Sequence, residues 1–192
     1  MSQSRNIKLT VFLIVVFMAL IVSGFVYRIS QPRVMTASEM KANGLFLHET
    51  PRNFGELNLV DHHGNAFTRD NFEGRWSLVF FGFTHCPDIC PTTLSFLDQL
   101  VAGFEGTEVE DTQVVMVSVD PARDTVEQLA GYVPYFNQEF VGVTGEFLDI
   151  HRFATALNTP FRKVTVAGGD YQVDLSANVL LINSRGDYHG FF

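Results

Sequence analysis

The chain has 192 residues, 46% hydrophobic and 18% charged, with a formal net charge of −8. This length fits one domain of about 150 residues plus a short extension, and the composition excludes a disordered chain. Two cysteines exclude a disulfide scaffold and a multi-cysteine zinc or iron–sulfur protein; an acidic chain with three lysines (Lys8, Lys41, Lys163) is not expected to partner nucleic acid.

No charge lies between Lys8 and Arg28, and the run Leu9–Tyr27 (LTVFLIVVFMALIVSGFVY) is 19 residues long. As a helix it would span roughly 28 Å, close to the hydrocarbon thickness of a bilayer. It fits an uncleaved anchor better than a cleaved signal, because Val22-Ser23-Gly24 lacks an A-x-A pattern. It also lacks the polar face of a soluble amphipathic helix. Residues 1–8 then form a cytoplasmic tail, 9–27 a transmembrane anchor, 28–50 a linker and 51–192 the domain. Basic residues are nearly balanced across the run, and a short cytoplasmic tail is the simpler topology. Residues 28–192 carry 11 basic and 21 acidic residues, so the domain is tethered to the membrane yet repelled by anionic lipid.

Within the linker, Gly44–Leu47 reads as a short strand. Leu57–Asp61 and Ala66–Thr68 flank the turn composition His62-His63-Gly64-Asn65 and read as a hairpin. Trp76–Thr84 is a continuous apolar run, which predicts a strand buried on both faces. Pro91–Phe104 has helical spacing and opens on a proline, which suits a first turn. Gln113–Val119 predicts a second buried strand, Asp124–Phe136 a helix, Phe140–Val143 a strand and Glu146–Leu157 a helix. Phe161–Val166 and Tyr171–Val173 flank Gly168-Gly169-Asp170 and predict a hairpin. Val179–Ile182 and Tyr188–Phe192 are strands around the turn Ser184–Asp187. Helices alternating with strands and then a closing hairpin predict an α/β mixed sheet.

Cys86 and Cys90 are separated by Pro87-Asp88-Ile89, between a buried strand and the start of a helix. Sites form at this edge of an α/β sheet. The helix N-terminus favours thiolate and predicts lowered cysteine pKa values. Three residues between them allow both sulfurs to point into one space. Three readings stay open: a soft metal site, best suited to Cu(I) with zinc next; a redox dithiol; and a structural disulfide, whose small loop would gain little closure stabilisation. General dithiol exchangers place a cis-proline before a later strand, whereas here Ala177-Asn178 precede Val179–Ile182. Asp120 and Asp124 flank Pro121-Ala122-Arg123 before a helix, where N-capping is the plain reading. Asp88 is a further cap candidate, and Asp174 either orients site groups or satisfies a hairpin. His62 and His63 read as solvated turn residues. Phe80, Phe81 and Phe83 predict a dry wall behind the cysteines.

Phe80–Leu94 (FFGFTHCPDICPTTL) closely resembles the cysteine signature of the Sco/SenC family. Val117–Thr125 (VSVDPARDT) matches its second signature and Tyr171–Phe192 its third. The resemblance covers nearly the whole chain. It implies a thioredoxin-like mixed sheet flanked by helices, with an N-terminal transmembrane helix in a bacterial inner membrane rather than a mitochondrial one, and the domain in the periplasm. It implies copper binding, Cu(I) favoured, and assembly of the copper centre of cytochrome c oxidase by metal delivery, thiol reduction or both. Partners would be the oxidase copper-centre subunit, other copper chaperones or thioredoxin-like reductants. Cys86 and Cys90 would be the thiolate ligands, and the disulfide when oxidised. Asp120, Asp124 and Asp174 would lie near the site or meet partners. The family's third ligand is a His after the Asp of a V-D-H-S run. Here the run is Val173-Asp174-Leu175-Ser176, and leucine has no lone pair to give. His189, His85 and the other histidines offer no evident replacement. The first expectation is therefore a metallochaperone rather than an enzyme, and the alternative a thiol-disulfide oxidoreductase or redox sensor without stable copper.

Overall fold

The computed structural model describes residues 3–30, 35–165 and 171–192. The chain divides into two units, 1–39 and 40–192. The first unit contains α1 (Gln3–Ser30), whose 23-residue stretch Ile7–Ile29 is long and apolar enough to cross a membrane. The helix overruns the expected 9–27 at both ends. Lys8 and Arg28 carry flexible stems that let a charge sit at a span's end without stopping the helix. A short helix follows, α2 (Ala37–Ala42).

Among the described residues of the second unit, ten strands make two sheets. They are β1 (Phe46–Arg52), β2 (Leu59–Asp61), β3 (Ala66–Phe67), β4 (Ser77–Gly82), β5 (Gln113–Ser118), β6 (Val141–Thr144), β7 (Phe161–Thr165), β8 (Tyr171–Leu175), β9 (Val179–Ile182) and β10 (Tyr188–Phe191). Eight form one sheet in the order β1-β10-β9-β4-β5-β6-β2-β3, and β7 and β8 pair apart. Only β4–β5 and β5–β6 are parallel among the described pairs. Their crossovers are α3 (Ile89–Ala102) and α4 (Val126–Phe136).

Every residue of β4 and β5 is buried, as their unbroken apolar runs require. Phe80, Met116 and Gly142 stand side by side in register and share one face. A Cβ on Gly142 would come within 2.8 Å of Val133 on α4, and one on Gly82 within 3.4 Å of the Cys90 sulfur on α3. Both helices therefore cover the same face, as two crossovers of one hand running in one direction must. The other face is closed by α5 (Phe147–Ala156), whose Phe153 ring lies 5.6 Å from Phe81 and 5.0 Å from Phe54. Burying such a ring contributes roughly 2–3 kcal/mol.

The strand expected at Gly44–Leu47 forms later and runs longer, as β1. It pairs antiparallel with β10 from Phe46↔Phe191 onward, because β10 would otherwise leave a row of open backbone groups. The first hairpin forms as expected. Gly64 supplies its positive φ of 84°, and Asp61 Oδ1 accepts the amides of His63 and Asn65, both at 2.9 Å. The turn expected at Gly168–Asp170 lies outside the described residues.

Candidate metal and redox site

The thiol pair is built where β4 runs out. After Gly82 the chain passes through Phe83, Thr84 and His85 to Cys86, and α3 begins at Ile89. Pro91 falls in that first turn, where its missing N–H costs nothing. Cys86 and Cys90 are both free and both buried, with Cys86 7% exposed and Cys90 fully enclosed. The Cys90 amide donates to the Cys86 sulfur at 3.3 Å. Asp88 holds the N-cap position but its side chain makes no cap bond, so the Cys86 sulfur takes the amide that a capping oxygen would take. The expected Asp88 cap is thus corrected: with φ −139° and ψ −68°, its backbone is not in the extended conformation typical of a cap.

The expected lowering of cysteine pKa fails for Cys90. Burial first, and then a hydrogen bond with Cys86, push its thiol well up. The helix terminus cannot offset the loss of water behind Phe80 and Met116. Phe80, Phe81 and Phe83 are buried, as expected of a dry wall, although Phe81 faces the α5 side.

Neither acidic residue of the second motif caps α4. That position is held by Thr125, whose side chain accepts from the Gln128 amide at 3.3 Å. Asp124 is fully buried. Its carboxylate accepts from the Thr84 amide at 3.0 Å, the Thr84 hydroxyl at 2.6 Å and the Ser118 hydroxyl at 2.6 Å, and so fixes the segment that leads into Cys86. Asp120, also fully buried, accepts from Lys163 at 2.9 Å, from the Tyr171 hydroxyl at 2.8 Å and from Arg123. Arg123 stands 4.0 Å and Lys163 4.3 Å from the Tyr171 ring centre. Burial opposes the charge on Asp120, but Lys163, Arg123 and Tyr171 outweigh it and hold the carboxyl below its ordinary value. Both aspartates were recruited by donors far away in sequence, which local capping patterns do not register.

Asp174, more than half exposed, pairs across the two strands with Arg162 at 2.9 Å. Leu175 ends β8 opposite Phe161 and lines a groove of about 340 Å³ with Pro160, Arg162 and Ser176. No other histidine takes its place. His85 Nδ1 hydrogen-bonds the Thr84 hydroxyl at 3.1 Å. His189 packs edge-on to Trp76, 5.3 Å away, beside the start of β4, whereas the cysteines follow its end. His62, expected in solvent, is 4% exposed: its Nδ1 accepts the Gly142 amide at 2.9 Å, which turns the ring inward. Among the described residues no three His, Cys, Asp or Glu side chains gather to hold a metal.

A sequence model of the SCO1/SenC family matches residues 48–192. The chain belongs to the SCO1/SenC family. A Stutzerimonas stutzeri protein, named for a proposed copper-binding role, is 41% identical over 150 residues, covering 78% of this chain and 73% of its own. The human mitochondrial SCO2 homologue is 39% identical over 145 residues, covering 71% of this chain, which spans only 53% of that protein. The crystal structure of Arabidopsis thaliana ScoI with copper bound superposes with a TM-score of 0.68 at 34% identity, over 72% of this chain and 86% of that one. The mixed sheet flanked by α3, α4 and α5 is the thioredoxin-like arrangement of these SCO proteins.

Proposed function

We propose that Cys86 and Cys90 take up Cu(I) as a dithiolate and pass it to the copper-centre subunit of cytochrome c oxidase during assembly. Copper here is cargo. The observation that carries this reading is the pairing of two free sulfurs where β4 gives way to α3, against an apolar wall, with no group of three metal-ligating side chains gathered there among the described residues. Two soft donors in a dry setting suit two-coordinate Cu(I) and exclude the higher, nitrogen-rich coordination that Cu(II) needs. Uptake releases the two thiol protons, and ligands of the recipient then replace the sulfurs. Cys86, the more accessible sulfur, is where exchange begins. The copper-bound SCO structures and the apolar helix Ile7–Ile29 support the reading and its setting, a domain held at the periplasmic face of a bacterial inner membrane. In the layout we favour, a short tail precedes the anchor and the SCO domain occupies the remainder beyond a linker.

The same pair supports a second activity, favoured by the loss of a ligand at Leu175. Cys86 as thiolate attacks a target disulfide, and Cys90 then displaces the target from the mixed disulfide. Two electrons pass to the target, which leaves as a dithiol, and Cys86–Cys90 becomes a disulfide.

Anaerobic Cu(I) titration of the full chain in detergent, against a competing chelator, tests the copper reading. One Cu(I) per chain is expected, with affinity falling at least a hundredfold in Cys86→Ser and in Cys90→Ser. If the reduced chain retains no Cu(I), delivery is overturned and reduction of target disulfides is the remaining activity.

A further inference from the structure

The first hairpin is fastened to the main sheet through a side chain. Strand order places β2 between β6 and β3, so the sheet holds the hairpin through β2, by the pairs Val60↔Thr144 and Asp61↔Val143. Where that pairing ends, the His62 amide donates to the Gly142 carbonyl at 2.7 Å. The Gly142 amide donates in return to His62 Nδ1 at 2.9 Å. A ring nitrogen thus closes the ladder at a rung where strands ordinarily offer a carbonyl. Only a neutral imidazole can do this, because an imidazolium has two donors and no acceptor. Since Nδ1 accepts, the proton of the neutral ring sits on Nε2, which is buried and meets no acceptor among the described residues.

Protonation would set two N–H groups against each other, leave the Gly142 amide unpaired and enclose a positive charge in a residue that is 4% exposed. The groups that face the ring offer little to hold that charge. Asp61 on β2 is engaged by the amides of His63 and Asn65 and by the Asn65 side chain at 3.2 Å. The His63 ring, 4.0 Å away, brings no negative charge. β6 presents Val143 and Thr144, β3 presents Ala66 and Phe67, and α4 reaches Gly142 with Leu129 and Val133, all uncharged. Burial first, and then His63, hold the ring's titration below the ordinary histidine value, against a smaller pull from Asp61. The base of the hairpin is anchored separately: Leu59 and Phe67 lie opposite each other and are each 3% exposed.

We infer that His62 is a pH-operated latch: neutral, it fastens the tip of the β2–β3 hairpin to β6; protonated, it lets the tip go while the base stays docked. A ring freed to solvent binds its proton near the ordinary value of about 6.5, and the latched ring only below it, so acid favours the released form. The released fraction rises about tenfold for each pH unit below that value, until the latched ring itself takes up a proton.

Amide hydrogen exchange, followed by NMR on the full metal-free chain in detergent at a series of pH values, tests the latch. The protection of the Gly142 amide, corrected for its intrinsic rate, is expected to fall about tenfold per pH unit below about 6.5. At every pH it is expected to stay below the protection of the β5 amides, which exchange only when the whole domain opens. In His62→Asn a side-chain oxygen that does not titrate takes the place of Nδ1, and the Gly142 protection is expected to be independent of pH. Constant Gly142 protection in the parent overturns the inference. Protection equal to that of β5 also overturns it, because the tip would then open only with the whole domain. An unchanged slope in His62→Asn overturns it by assigning the pH dependence to another group. If that variant does not fold, the two readings on the parent decide.

Discussion

Leu175 is the residue at which this chain parts from the copper-site pattern it otherwise resembles. It ends β8, half-buried, on the rim of an open groove, so an imidazole there meets no packed wall. Leu175→His is expected to tighten Cu(I) at least tenfold and to create Cu(II) binding where the parent shows little, read by competition titration and by the visible absorption of the Cu(II) form. Gly82 is the opposite case, a position with no room. A Cβ there would lie 2.7 Å from the Phe80 ring and 3.1 Å from the Met116 methyl. Met116 can swing aside but a buried ring cannot. Gly82→Ala is expected to lower stability by about 1–3 kcal/mol and to slacken Cys90, measured by urea unfolding and by faster alkylation of the folded protein. The two cysteines, their placement after a buried strand and the leucine were legible in the sequence. The inward turn of His62 was not: its partner, the Gly142 amide, comes from β6, which the hairpin composition cannot reveal. Nor did the N-cap reading of Asp124 survive, since Thr84 and Ser118 reach it from the ends of two strands that only the fold brings together.

The β7–β8 hairpin is joined to the body through charge. Lys163 on β7 and Tyr171 on β8 both grip Asp120, which leaves β5 with its carboxylate enclosed. Asp120→Asn removes the anion while Lys163, about a third exposed, can turn to water. The expected cost is about 2 kcal/mol, with protease cutting concentrated in the hairpin. The pH dependence has a definite sign. The folded carboxyl titrates below its ordinary value, so its stabilisation is complete above the unfolded value of about 4 and is lost as pH falls through the folded value. The stability gap between parent and Asp120→Asn is therefore expected to be constant near neutrality and to close in acid, as chemical unfolding at a series of pH values would show. At this scale the sequence was most informative in the centre of the sheet. The apolar runs of β4 and β5 announce strands covered on both faces, and helical spacing announces α3, α4 and α5. It was less informative at the edge: Gly44–Leu47 announces a short strand, but β1 runs on to Arg52 through exposed residues with no strand pattern, and pairing with β10 extends it.

Across the whole molecule, charge and apolarity are segregated along the chain. All 21 acidic residues follow the apolar helix, so attachment to a bilayer depends on that helix and gains nothing from headgroup attraction. Removing residues 1–30 is expected to move the protein entirely to the soluble fraction, where washing with high salt changes nothing further; residual membrane binding that salt releases would contradict this. The SCO domain also separates two tasks that metal sites commonly merge. The sulfurs stand at the end of a central strand among the most enclosed residues of the fold, whereas the place of the third ligand stands on a two-stranded ribbon outside the main sheet. On the proposed reading, coordination number is set from outside the main sheet. If the proposed dithiolate holds Cu(I), one substitution on that ribbon is expected to let the protein accept both oxidation states, while the interior that folds it is left as it was.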